Sequence, residues 1–233
     1  MADCLFIAGT DTGVGKSVVS VLLMQILYAK GYYPFYLKPF QTGCKNPCDA
    51  DSDAGFVYEH VSALRGKHPG DSTFYCFKNP KAPYFAARNE GKRSDLDIVS
   101  KAIDQKCRTH THVIIEGAGG LLVPVAEKML MVDLIKMTNS KPILVARAGL
   151  GTINHTLLSL EAMTNRDIRP ETVVLVEVGA PPASQELIRE NIEAIERFSG
   201  IGVAGIIGKI SDFSNPAKAY QEVIERILGL DQK

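Results

Sequence analysis

The stretch Gly9-Thr10-Asp11-Thr12-Gly13-Val14-Gly15-Lys16-Ser17 stands between an apolar run and a helical pattern. Glycines let a backbone take positive φ and bring successive N–H groups close to a ligand. Those groups, with the positive end of the helix that follows, suit phosphate oxygens. In such a loop Lys16 would reach the β- and γ-phosphates and Ser17 would ligate Mg2+. The spacing departs from the usual Walker A pattern. Gly9 and Gly15 have five residues between them where the motif has four, so Thr10 takes the earlier glycine position. A strand before the loop and a helix after it still make a nucleoside triphosphate the expected ligand.

Three further segments carry reactive groups. "YLKPFQTG" places Lys38 directly after a strand-like run, with Pro39 blocking a helix and Thr42 close by. "DADSD" supplies Asp49, Asp51 and Asp53, and "VIIEGAGG" ends a strand on Glu116 beside Gly117, Gly119 and Gly120. A carboxylate at that kind of strand end holds Mg2+ in phosphate-loop proteins, where Asp is the usual residue. A lysine such as Lys38 on the same rim can neutralise a phosphoryl group in transfer. These groups describe a Mg-nucleotide enzyme or a nucleotide switch. Composition and spacing name no substrate.

The elements that must position these groups alternate along the chain. Cys4–Ala8, Phe35–Leu37, Val113–Ile115, Ile143–Ala146 and Val173–Val178 read as buried strands, with Val203–Ile207 a weaker sixth. Helical patterns cover Lys16–Ala29, Asp95–Lys106, Asn154–Thr164, Gln185–Phe198 and Ala217–Leu228. Ser94, with Asp97 three residues on, resembles a capping box for the second of these. The alternation predicts one α/β domain over residues 1–233, with a mostly parallel sheet covered by helices on both faces. Between Lys38 and Ser94 regular structure thins to a short helix within Ser52–Leu64, and a segment that long is more often functional than idle.

The chain has 233 residues, 45% of them hydrophobic, enough to bury a core without a disulfide or metal staple. Lys+Arg and Asp+Glu both number 26, so no global basic field exists to attract nucleic acid or an anionic membrane. Met-Ala-Asp-Cys leads straight into a strand pattern with no signal-peptide character. The longest apolar segment, Val18–Leu27, is interrupted by Ser20 and Gln25 and falls short of the roughly 20 residues of a bilayer span. A cytoplasmic protein with neither nucleic-acid nor membrane partners is expected. The five cysteines are irregularly spaced, and Cys44 and Cys48 have no answering pair, so all five are expected as isolated thiols. His110 and His112 are read as the end of a helix and not as metal ligands.

Taken together, "GTDTGVGKS" (9–17), "KPFQTG" (38–43), "SDA" (52–54), "EGAGG" (116–120), "NPKAPYFAARNEG" (79–91) and "GLGTINHTLL" (149–158) resemble the dethiobiotin synthetase family. The resemblance implies a P-loop NTPase fold and an ATP- and Mg2+-dependent cyclo-ligase. One amine of 7,8-diaminopelargonate would be carbamated by CO2 (or bicarbonate). The carbamate would attack the γ-phosphate to give a carbamic–phosphoric anhydride, and the second amine would close the ureido ring. Thr12, Gly13, Val14, Gly15, Lys16, Ser17 and Val18 would wrap the phosphates, and Ser17, Asp53 and Glu116 would hold Mg2+. Lys16 and Lys38 would be catalytic. Gly117, Ala118 and Gly119 would lie against the nucleotide, and Thr42 with the glycine backbone after Glu116, Gly119 included, would bind the diamine end. Gly151, Thr152, Ile153 and Asn154 of a second subunit would meet the substrate carboxylate, which makes a homodimer the expected assembly.

Two stretches depart from the family pattern. Where Asn-Asp often reads the adenine ring, this chain has Glu177-Val178, and where Ile-Pro is usual it has Ile210-Ser211. Glu177 and Ser211 therefore stand at the base-binding positions with altered chemistry.

The alternative function is a deviant-P-loop switch ATPase of the partition or septum-placement type. Its signature lysine position holds Asp11 here, and the final helix mixes Lys218 and Arg226 with Glu222 and Glu225. A cobyrinate-type amidotransferase would need a glutaminase domain that 233 residues do not hold.

Overall fold

Short β-branched runs separated by amphipathic helices build a layered structure in the computed structural model, which describes residues 2–179, 181–214 and 218–230. In chain order the elements are β1 (Asp3–Gly9), α1 (Lys16–Ala29), β2 (Pro34–Leu37), β3 (Phe40–Thr42), α2 (Asp53–His60) and β4 (Tyr75–Phe77). There follow α3 (Pro83–Asn89), α4 (Leu96–Thr109), β5 (His112–Glu116), β6 (Pro124–Ala126), β7 (Met129–Leu130) and α5 (Met131–Met137). The chain then continues through β8 (Lys141–Arg147), α6 (Thr152–Thr164), β9 (Thr172–Val176), α7 (Gln185–Ser199), β10 (Val203–Ile207) and α8 (Lys218–Ile227).

Six strands form one sheet in the order β10-β9-β8-β1-β5-β2, and every pairing in it is parallel. Alternation along each strand sends side chains to two cores. Leu5, Ile7, Tyr36 and Ile114 pack with α1, α2 and α8 on one face. Phe6, Leu37, Val113 and Ile115 pack with α3 to α7 on the other. Because both faces are covered, the strands are apolar through their middles, with charged residues only near their ends. The parallel α/β sheet expected from the sequence is the fold observed.

The segment between β2 and α4 holds more order than its sequence suggests. β3 and β4 form a small parallel pair, and α2 is capped by Ser52 Oγ, which accepts from Gly55 N at 2.8 Å. α4 starts one residue later than expected and on a different cap. Asp95 Oδ1 accepts from Asp97 N and Ile98 N, while Ser94 Oγ is buried without a partner. An ionised carboxylate is the stronger acceptor for a helix start, and it takes the position. His110 closes α4 as its C-cap, but His112 opens β5. β9 ends at Val176, two residues earlier than expected; Glu177 N still donates to Ile207 O at 2.8 Å, and its carboxylate accepts from Ala183 N at 3.0 Å. α6 begins at Thr152 on Gly151, whose φ of 87° suits glycine. Ala217, the expected first residue of the last helix, lies outside the described residues.

The cysteines are not isolated. Cys4 on β1 and Cys107 on α4 meet in a disulfide where the helix crosses the strand. Cys44 Sγ lies 3.4 Å from Cys76 Sγ because the β3–β4 pairing draws their segments together, and Cys48 Sγ lies 3.3 Å from His68 Nε2. Among the described residues no helix is long and apolar enough to cross a membrane.

Candidate active site

The carboxyl ends of β1, β2 and β5 open onto one cavity of about 730 Å3, the rim where ligands bind on such sheets. The 10–17 loop forms one wall. Gly15 has φ +97°, and a Cβ there would come within 2.6 Å of Val176 Cγ1, so only glycine lets the loop seat against β9. A Cβ on Gly9 would press on Lys16 Nζ at 2.8 Å, so that glycine keeps the path of the lysine side chain clear. Lys16 Nζ bends back over the loop and donates to Asp11 O at 2.9 Å. Asp11 also accepts from Thr12 N at 2.7 Å and pairs with Arg147 at 3.3 Å, fixing the turn. Burial, helped by the charge of Lys38, brings the Lys16 ammonium down to about 8.

Lys38 lies at the centre. It is 2% exposed, and its Nζ contacts Asp53 Oδ2 at 2.7 Å, Glu116 Oε1 at 2.9 Å and Gly117 O at 2.9 Å. Burial alone would lower its ammonium, but Asp53 and Glu116 more than offset that and raise it above the ordinary lysine range. For Asp53 the same balance holds with opposite sign. Burial raises its carboxyl, Lys38 and Ser17 outweigh the effect, and the net shift is downward.

Ser17 Oγ lies 2.8 Å from Asp53 Oδ1 and 2.9 Å from Glu116 Oε1. These hard oxygens fit Mg2+, which takes oxygen ligands and shares its sphere with substrate phosphates. Among the described residues no three of His, Cys, Asp and Glu cluster as metal ligands. The set here is two carboxylates and a hydroxyl. Asp49 is not part of it, since its Oδ2 accepts from Lys45 N and Asn46 N, and Asp51 lies at the cavity mouth.

Of the residues expected from sequence, Thr12, Gly13, Gly15, Lys16, Ser17, Val18, Lys38, Thr42, Asp53, Glu116, Ala118 and Gly119 line this cavity. Val14 has its side chain in the core beneath the loop, and Gly117 contributes its carbonyl to Lys38. Pro80 to Pro83 close the far wall, and Pro83 opens α3 at a position where a missing N–H costs nothing. Glu177 and Ser211 do not line the cavity, whereas Val178 does. Gly151 to Asn154 lie at the start of α6, away from the cavity walls. Sequence reading missed Gln41, whose Oε1 accepts from Asp53 N at 3.1 Å, and two hydroxyls on Glu116. The signal for Gln41 was its place one residue before Thr42 on a rim strand.

A phosphate loop joining the first strand to the first helix of a parallel six-stranded sheet, with a carboxylate ending the neighbouring strand, defines a P-loop NTPase. A ParA family ATPase from Chlorobium tepidum has the same fold, with a TM-score of 0.58 over 100% of this chain and 94% of that one, at 13% identity. A family model described as an AAA domain matches residues 3–217. The ATP-dependent dethiobiotin synthetase of Hydrogenobaculum sp. is 39% identical over 73% of this chain and 75% of its own. That of Brachyspira hyodysenteriae is 30% identical over 100% of this chain and 97% of its own. The chain belongs to the ATP-dependent dethiobiotin synthetase family, and so to the ATP-dependent cyclo-ligases.

Proposed function

We propose that this chain makes dethiobiotin from 7,8-diaminopelargonate, CO2 and ATP with Mg2+, through a carbamic–phosphoric anhydride. The observation that carries the reading is Lys38, a buried ammonium held 2.7 Å from Asp53 and 2.9 Å from Glu116 on the floor of the cavity. The phosphate loop, Thr42 and Pro80–Pro83 line the same cavity as Lys38.

The loop amides and Lys16 hold the triphosphate. Bound by Ser17, Asp53 and Glu116, Mg2+ would offset charge on the phosphate oxygens. Thr42 and the backbone at Gly117–Gly119 hold the diamine end, so a carbamate oxygen points at the γ-phosphorus. That oxygen forms the new P–O bond as the bond to ADP breaks. Lys38, itself 2% exposed, stabilises the charge passing between carbamate and phosphoryl oxygens as a fixed, desolvated cation. The second amine then attacks the carbamoyl carbon, the ring closes and inorganic phosphate leaves. Proximity of the two amines on one carbon chain makes this last step intramolecular.

Gly151–Asn154 belong to this reading through a homodimer. Gly151 and Asn154 are exposed beside Leu150, which is 86% exposed, while the Thr152 side chain is buried. The helix start there suits a carboxylate entering from a partner's site. Sedimentation at assay concentration should give a dimer; a fully active monomer contradicts the shared site.

The direct test is ADP release with and without diamine plus bicarbonate. Release that requires both, with stoichiometric ring-closed product, supports the reading. Release indifferent to the diamine but stimulated by protein, DNA or membrane overturns it in favour of a switch ATPase.

A further inference from the structure

Glu116 makes more hydrogen bonds than its proposed part in catalysis requires. Its Oε1 takes Ser17 Oγ at 2.9 Å and Lys38 Nζ at 2.9 Å. Its Oε2, turned away from the cavity, takes Ser20 Oγ at 2.8 Å and Tyr36 OH at 3.0 Å. A carboxylate offers about four lone-pair directions, and four donor groups stand at them, with Ser17 sharing its one proton with Asp53 Oδ1 at 2.8 Å. We propose that Ser20 and Tyr36 are positioning residues, which pin Glu116 Oε2 so that Oε1 stays aimed at Ser17 and Lys38 while the metal–nucleotide pair binds. This rests on the metal site of the proposed function.

The placement follows from two periodicities. Ser17 and Ser20 are three apart on α1 and share a face, so successive turns deliver one hydroxyl to each oxygen of the same carboxylate. Tyr36 on β2 pairs with Ile114 on β5, two residues before Glu116. An interval of two keeps Ile114 and Glu116 on one face of the sheet, and the tyrosine ring reaches along that face to the strand end. Ser20 and Tyr36 are both buried.

The two oxygens face different demands. On Oε1, Ser17 must turn a lone pair toward the cation, and Lys38 must serve the transferring group. Neither partner there can hold the carboxylate still through the reaction. The partners of Oε2 are buried and do not line the cavity, so their bonds persist. Ser20 has one proton and a second acceptor, Lys16 O, at 3.0 Å. The charged carboxylate is nearer and takes the stronger bond. Tyr36 donates its hydroxyl proton to the carboxylate and is itself buried. Residues that orient metal ligands in this way are worth about tenfold or more in metal affinity.

Mn2+ binding to the ADP-saturated protein, followed by its electron paramagnetic resonance signal, tests this without turnover. Tyr36→Phe keeps the ring and removes only the hydroxyl, and Ser20→Ala tests the same oxygen from the helix. Each should weaken Mn2+ binding by about tenfold, while ADP affinity in EDTA changes little and the melting temperature in EDTA falls because a buried carboxylate loses a donor. In a Glu116→Gln background neither change should weaken Mn2+ further. If Glu116→Gln weakens Mn2+ but Tyr36→Phe and Ser20→Ala do not, the positioning role is wrong. It is equally wrong if their effect persists undiminished in the Glu116→Gln background, or if they weaken ADP in EDTA to the same extent. If Glu116→Gln itself leaves Mn2+ affinity unchanged, the metal site of the proposed function is what fails.

Discussion

Lys38 Nζ lies 2.9 Å from Glu116 Oε1, and both side chains are closed off from solvent. Such a pair adds little net stability, since burying two ions costs several kcal/mol that their attraction only offsets. Breaking it is another matter. Lys38→Ala would leave Glu116 and Asp53 facing each other without a cation.

Lys38→Ala should therefore lower kcat by roughly 100-fold or more, through loss of charge stabilisation in the transition state. It should also lower the melting temperature in EDTA, and Mg2+ with ADP should recover part of that loss by supplying the missing positive charge. Steady-state kinetics and thermal unfolding read the two effects separately. A variant with normal kcat removes Lys38 from the mechanism.

Asp53→Asn and Glu116→Gln should each raise the Mg2+ concentration needed for half-maximal rate. Mg2+ takes few protein oxygens, so losing one of two carboxylates is felt. Asp49→Asn should not have this effect, because its carboxylate caps its own turn. Rates measured against Mg2+ at saturating ATP separate the three. If Asp49→Asn shifts the curve as far as Asp53→Asn, the assignment among these acids is wrong.

Much of this site was legible because a parallel sheet gathers its strand ends on one rim. The loop at 9–17, Lys38 and Glu116 each follow an apolar run, and local pattern alone brings them to the same edge. What stayed hidden depends on packing between elements. Ser20 reads only as a polar break in an apolar helix, and nothing local says that its hydroxyl meets a carboxylate 96 residues away. Tyr36 reads as a core aromatic for the same reason. Competition between neighbours also escaped the pattern. Ser94 and Asp95 are both good caps, and only the folded backbone shows that the carboxylate wins. The pairing of Cys44 with Cys76 follows from two three-residue strands too short to stand out from the Pro- and Gly-rich segment around them.

Acid should weaken the fold partly through His110. Its ring stacks on Tyr33 at 4.7 Å and packs against Phe35 at 4.9 Å. Burial, with the charges of Lys106 and Lys67 adding to it, holds the imidazolium below the ordinary histidine range. The unfolded chain then binds more protons than the folded one as pH drops through about 6.5. Stability from the neutral ring is complete above that value and is lost on the way down to the folded pKa. Between pH 7.5 and 5.5 the melting temperature of His110→Gln should fall less steeply than that of the wild type. Parallel slopes would show that His110 stays uncoupled from folding.

Base selectivity should be weak for a family named for ATP. An amide side chain at position 177 would accept from the adenine N6 amine and donate to N7 at once, whereas an ionised Glu177 only accepts. One of its oxygens is already committed, since Oε1 accepts from Ala183 N at 3.0 Å. The other can take the N6 hydrogen of adenine, and equally the N4 hydrogen of cytosine or the N1 and N2 hydrogens of guanine. Each hydrogen bond lost to discrimination is worth about 0.5–1.5 kcal/mol, so preference between bases should fall to roughly tenfold or less. Glu177→Asn should restore a preference for adenine, because the amide regains the donor. The measurement is kcat/KM for ATP, GTP and CTP with the same diamine, in the wild type and the variant. If the wild type prefers ATP several hundredfold, another part of the chain reads the base. Val178, which lines the cavity where Glu177 does not, would be the place to look next.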